Sequence, residues 1–596
     1  MKKFFILVCF ICGANGVGMC APSIYYKLSF DEPQSHFVKV EMEVSNWPGT
    51  TLEVKMPVWT PGSYLIREYS RFVERISAVD GAHNILSCVK DTKNGWKINS
   101  NKAEKIKIVY FVYAFELSVR TSFIDDEHAY LNGASIFLFI DKMLQIPSVV
   151  EVIPYHKWSK ISTSLERLNP DSPWILRAID YDQLIDAPME IGNHVVLRFI
   201  AAGIPHEIAF FGKANYDSLQ VIRDIIKIVE AEKSIFGDHP CKRYVFIIHN
   251  IPNGSGGLEH MNSSTLQVAR NGYSPGGLYN SFLSLVAHEY FHLWNVKRLR
   301  PQPLGPFDYD KENYSTLLYV AEGFTAYYDD LITRRCGFID DNLYLATVAG
   351  YVTSLENTPG SFLQSVSESG FDAWIKYYRP SENNLNSTVS YYTKGALIGC
   401  LLDLFILNAT NGVKRLDDVM KSMYDEYYKK LNRCYTENEF SEMVAKISGK
   451  DMNYFFGHYI NKADSIPYPD YFKLAGLELT NDNFGNSIPY LGVNTNTING
   501  KISITFVERN SPAWKDGLNV NDEIIAVDNA RISEDFVKFI STKKPGDQLN
   551  FEISRSGLIK NVLVKLVQSK KVSYKLVNTS NSNEKQKFIY NKWISN

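Results

Sequence analysis

The string His288-Glu289-Tyr290-Phe291-His292 constrains this chain more than any other feature in it. It sits in an apolar run from Asn280 to Trp294 whose spacing predicts a helix, with Asn280 or Ser281 as its cap. Residues four apart share one face of a helix. His288 and His292 therefore present two imidazole nitrogens to one ion, while Glu289, one step round, reaches water beside it. A chain of this composition would contain such a pattern by accident roughly 0.03 times. Burying these groups among Leu283, Val286, Phe291 and Trp294 without a partner is costly, which argues for an ion rather than an ordinary core.

A catalytic zinc site needs a third protein ligand and one open position. The next apolar helical stretch, Leu318 to Phe324, offers Glu322, whose desolvation a dication would offset. Two histidines and a glutamate suit one Zn2+ per chain, with Glu289 as general base toward a bound water. Between His292 and Glu322 lie 29 residues, and the part from Pro301 to Tyr314 is expected as a loop near the cleft.

The 596 residues leave room for several domains around this centre. From about 22 to 204 the pattern has period two, as in Val38, Val40, Met42 and Val44 against Lys39, Glu41 and Glu43, which predicts antiparallel sheet. From 205 to 480 apolar residues recur at three and four, predicting a mostly helical catalytic domain that ends near Pro467-Tyr468-Pro469. Residues 485–570 return to short strands, and the Asn- and Ser-rich tail 571–596 reads as partly disordered. The fold class is thus multidomain α+β. Lys+Arg 63 against Asp+Glu 65 provides no field for a polyanion, so nucleic acid is not expected as a partner.

Met1-Lys2-Lys3 followed by the apolar run Phe4 to Cys12 reads as a signal peptide over 1–21 and predicts export to the periplasm or the extracellular space. Cys20 would tie the chain to a membrane only if it were lipidated. Cys88, Cys241, Cys336, Cys400 and Cys434 are dispersed and form no Cys-x-x-Cys pair, so neither a thiolate metal site nor a disulfide framework is expected.

Several strings together resemble the glycyl aminopeptidase family of gluzincin zinc peptidases. They are Pro57-Val58-Trp59-Thr60-Pro61-Gly62-Ser63-Tyr64, Gly256-Gly257-Leu258-Glu259-His260, His288 to Pro301, Ala321 to Thr325, and Tyr391-Tyr392-Thr393-Lys394-Gly395. The resemblance implies an N-terminal β-domain, a thermolysin-like catalytic domain and a C-terminal PDZ domain. The spacer before Glu322 is longer than is usual in related gluzincins. It further implies cleavage of peptides with a free N-terminus, by preference after glycine or alanine. Glu259 would anchor the substrate's α-ammonium, with Gly256 and Gly257 letting backbone approach it, and Tyr392 would steady the oxyanion. Tyr391 is the alternative, and by itself Tyr392 reads as a core aromatic. Lys297, Arg298 and Arg300 read as a structural cation cluster before a substrate contact.

Tyr490-Leu491-Gly492-Val493, Ser511-Pro512-Ala513 and Asn521-Asp522 resemble a PDZ domain. Leu491, Gly492 and Val493 would receive a peptide C-terminus, or the module would brace the molecule from within. Two rival readings stay open at this point: a zinc endopeptidase, and a non-catalytic peptide-binding adaptor or chaperone.

Overall fold

The alternating pattern becomes a β-domain whose largest sheet has eight strands. Its centre pairs Ser23–Ser29, Phe37–Ser45 and Lys105–Tyr113 antiparallel. Val38, Val40, Met42 and Val44 are fully buried on one face. On the other, Lys105 meets Glu43 at 2.6 Å and Lys107 meets Glu41 at 3.1 Å across the strands. A three-stranded and a four-stranded sheet close the same core. This computed structural model describes residues 21–532 and 535–595, so the signal-peptide reading and Cys20 lie outside the described residues.

The boundary expected after residue 204 divides a hairpin. Val195–Ala201 pairs antiparallel with Ile204–Phe211, and both belong to a five-stranded sheet that opens the catalytic unit. That sheet, absent from the sequence reading, runs through Tyr244–Ile251 and Ser263–Ala269 to the edge strand Ser255–His260. Its strands were obscured because Tyr244 to Asn250 is buried on both faces, which erases the alternation. Helices follow, among them Gly277–Phe291, Phe324–Arg335 and Tyr391–Ala409. Tyr391–Ala409 is apolar enough by composition to cross a membrane, yet it is mostly buried within this core.

The 485–570 module has a separate core around Leu491, Ile504, Phe551 and Ile553. It is inserted rather than appended. Leu477–Asn481 before it pairs antiparallel with Tyr574–Asn578 after it, and Asn481 faces Tyr574 in the register. The polar tail is also corrected. Asn583 caps a helix, Glu584–Ile594, through a capping box with Gln586. Trp593 at its end is fully buried and donates to the Tyr327 hydroxyl at 3.0 Å. Arg415 holds the carbonyls of Lys592 and Trp593 at 2.8 and 2.9 Å. Three buried apolar residues, Ile589, Trp593 and Ile594, suffice to dock this helix, although the surrounding composition reads as loose.

Candidate metal centre

The helix bearing His288 and His292 begins at Gly277 with Gly276 as its cap, one turn earlier than Asn280 or Ser281 would place it. Glu322 lies in a π-helical turn, Tyr319–Gly323, that runs directly into Phe324–Arg335. Two glycines set this turn against the helix carrying Tyr391 and Tyr392. A Cβ on Gly323 would lie 2.5 Å from the Gly395 Cα, and one on Gly395 would lie 2.8 Å from the Gly323 Cα. Hence the Glu-Gly and Lys-Gly pairs in the two motifs are halves of one backbone contact.

His288, His292 and Glu322 converge, with one ligand atom from each inside a 4.8 Å span. His288 uses Nδ1 on Asp329 at 2.8 Å, and Ser284 holds the other Asp329 oxygen at 3.2 Å. His292 uses Nδ1 on the Asn295 carbonyl at 3.1 Å, while the Asn295 amide is tied to Val320 and Ala321. Both Nε2 atoms are thereby turned to Glu322 Oε2, at 3.6 and 3.4 Å. Glu322 is 2% exposed and its Oε1 has no partner.

The electrostatics suit a cation. Burial works to raise Glu322, but the two imidazoles outweigh it and hold the carboxyl below its ordinary range. Burial likewise works to lower His288, and the carboxylates of Asp329 and Glu322 reverse it. With two nitrogens aimed inward, an orphaned carboxylate oxygen and a second carboxyl alongside, these residues fit a zinc ion.

Glu289 is buried, and burial pushes its carboxyl up to about 7 against the pull of His288 and His292. Gly257 sits so close that a Cβ there would lie 1.9 Å from Glu289 Oε1. Gly256 has open space instead, so only one glycine of the pair is demanded by close approach. Glu259 is 4% exposed, and its Oε1 is unpartnered. It shares a 4.8 Å cluster with Glu289 and His292. Tyr392 is half-buried with its ring 6.3 Å from that of His288, whereas Tyr391 is fully buried between Tyr377 and Tyr392. Burial and the Glu322 charge push the Tyr392 hydroxyl up.

The sequence reading had no signal for Tyr377, Tyr378, Asp329 or Asn295, which reach the cleft by topology alone. Gly62 and Tyr64 belong to one of the strings that carry the family resemblance. Gly62, at φ +86°, brings a β-domain turn against Glu259, and a Cβ there would lie 2.5 Å from Oε1. Trp59 anchors that turn by donating to the Asp308 carbonyl at 2.8 Å. The long spacer is thus spent on the β-domain: Tyr309 is buried against Trp59, Phe139 and Tyr181. The cation cluster is structural. Lys297 bonds Asp186 at 3.0 Å, Arg298 bonds Asn262 at 2.6 Å, and Arg300 lies 4.4 Å from the Phe307 ring centre.

In the inserted module Gly492 has φ +85° and lies against Ser511. Leu491 is buried, and among the described residues Val493–Ile498 is an edge strand paired only with Lys501–Val507.

Family models match three stretches: the peptidase M61 N-terminal domain at residues 25–193, the M61 glycyl aminopeptidase at 281–398 and the PDZ domain at 489–566. No curated protein matches. Among solved structures, an aminopeptidase N family protein from Idiomarina loihiensis is 28% identical, with 96% of this chain and 100% of that one covered and a TM-score of 0.89. An M1 zinc metallopeptidase from Deinococcus radiodurans is 12% identical over 76% of this chain and 96% of that one, with a TM-score of 0.47.

Proposed function

Because this chain belongs to the M61 glycyl aminopeptidase family and is a zinc metallopeptidase carrying a PDZ domain, we propose that it is an exported enzyme that removes small N-terminal residues, glycine or alanine, from peptides. The observation that carries the reading is Glu259. A buried carboxylate with a free oxygen beside Glu289 rewards a substrate bearing an α-ammonium and penalises an internal peptide without one. His288, His292 and Glu322 would hold zinc, which supplies a Lewis acid for the carbonyl and an acidified water.

Glu289, buried and clustered with His292, takes the proton of the attacking water and passes it to the leaving amine. Tyr392 donates its hydroxyl proton in a hydrogen bond to the developing oxyanion, and its half-exposed position beside His288 favours it over Tyr391. Asp329 and Asn295 keep the imidazoles in one tautomer and one orientation. Leu491, Gly492 and Val493 receive peptide C-termini, and the free edge strand extends that contact. Export rests on the basic start and apolar run of the first twelve residues.

The test compares glycyl and alanyl chromogenic amides with their N-acetylated forms, before and after chelation and zinc restoration. Cleavage confined to the free amines and dependent on metal is expected. Equal turnover of both forms would sink the aminopeptidase reading.

A further inference from the structure

Two arginines of the β-domain, Arg67 and Arg120, stand beside the edge strand that carries Glu259. Arg67 follows the turn that carries Gly62, and Arg120 comes from a second β-domain loop. Arg67 donates to Ser63 Oγ at 2.8 Å, and Arg120 donates to the Gly257 carbonyl at 3.5 Å. The Nε of each is buried without a partner. Both side chains are partly buried, and burial together with the Arg120 charge works to depress Arg67. Among the described residues neither forms an ion pair. Glu116 is a nearby acid, but it is exposed and hydrogen-bonds to neither. Two adjacent guanidinium groups held this way are unfavourable until an anion completes them.

Their position names the anion. Gly257 lies on the edge strand Ser255–His260, two residues before Glu259 and therefore about 7 Å from it along the strand. Gly257 also presses on Glu289, so the arginine that bonds its carbonyl sits beside the candidate metal centre. An extended dipeptide also spans about 7 Å from end to end, and a tripeptide about 10 Å.

We propose that Arg120, supported by Arg67, receives the α-carboxylate of short substrates, making this enzyme selective for di- and tripeptides that are free at both ends. The proposal rests on Glu259 holding the α-ammonium. It adds a second charge contact at the far end of the substrate, so that chain length is measured between two fixed points. A guanidinium offers carboxylate a two-bond contact that neutral acceptors such as Ser63 do not satisfy.

The experiment measures kcat/KM on Ala-Ala and Ala-Ala-Ala as free acids and as C-terminal amides, with an alanyl chromogenic anilide in parallel. The wild-type enzyme is expected to prefer at least one free acid over its amide by about tenfold to a hundredfold. Arg120→Ala should bring that ratio to about one, Arg67→Ala should reduce it, and Arg120→Lys should restore part of it. Because each ratio is internal to one preparation, overall loss of activity cancels. Wild-type ratios of one for both lengths, or an undiminished ratio in Arg120→Ala, would overturn the inference. Failure to cleave the anilide or any free-amine peptide would instead bring down the underlying aminopeptidase reading.

Discussion

The β-domain meets the catalytic unit through buried charge, whereas the PDZ module touches it through a few polar loop contacts. Asp186 of the β-domain binds Lys297 and His260, and Glu190 lies fully buried between His128 and His249 at 2.8 and 2.9 Å. The PDZ side instead uses Asn386 on Val507 and Arg509, and Asn357 on Lys571 and Val572. One neighbour also brings Gly62 against Glu259 and Arg120 against Gly257, while among the described residues those PDZ contacts lie on Asn357 and Asn386 instead. A buried ionic joint breaks at high cost when one partner is removed, and a rim of amide contacts does not. The β-domain therefore packs directly against Glu259 in the candidate site, and the PDZ domain is a module seated between two paired strands.

The largest expected effect lies where the cleft is tightest. Gly257→Ala should cost about a thousandfold in kcat, comparable to Glu289→Gln, since its Cβ would occupy the Glu289 carboxylate. Both proteins should keep stoichiometric zinc by metal analysis, and a fully active Gly257→Ala enzyme would contradict the packing. Next comes Gly62→Ala in the β-domain, expected to lower kcat/KM on an alanyl anilide by about ten- to a hundredfold by displacing Glu259. Unchanged kinetics there would place the β-domain outside the site, as the PDZ module is.

Acid should loosen the β-domain joint. Burial raises Glu190, but its two imidazoles overcome it and leave the carboxyl at about 2, from an ordinary 4.5. Asp186 is likewise held at about 2, burial being outweighed by Lys297 and His260. Carboxyls depressed in the folded state contribute stability that is fully present above about pH 4.5 and is lost as pH falls toward 2. Denaturation midpoints between pH 6 and pH 2 should fall more gently in Glu190→Gln, which starts about 3 kcal/mol lower at neutral pH. Parallel curves would deny Glu190 that role. The smallest effect is expected from excising residues 482–573 and joining Asn481 to Tyr574 by a short turn, which their register allows. Turnover of a small anilide should change by less than about twofold, because loop replacement leaves the paired strands intact. A hundredfold loss would make the PDZ domain a working part of the cleft.

Local spacing carried much of this molecule. His288 and His292 share a face because of the 3.6-residue helical turn, and Val38 to Val44 alternate because a strand repeats every two. Glu322 was legible as an acid stranded in an apolar helix. Arg67 and Arg120 were not, since each is an ordinary cation in a loop until the fold sets them beside Gly257. Trp593 was hidden by the polar residues around it, and only its docking on Tyr327 turns the tail into core.

The amino-acid order by itself determined the helix that carries His288 and His292, the buried acid Glu322, the alternating β-domain and the PDZ module, because each is written in neighbours a few residues apart. Only the tertiary structure decided that Gly62 presses on Glu259, that the PDZ domain interrupts the catalytic unit, and that Arg120 reaches the Gly257 carbonyl. Those facts depend on which distant segments the cores bring into contact, and periodicity along the chain carries no record of that.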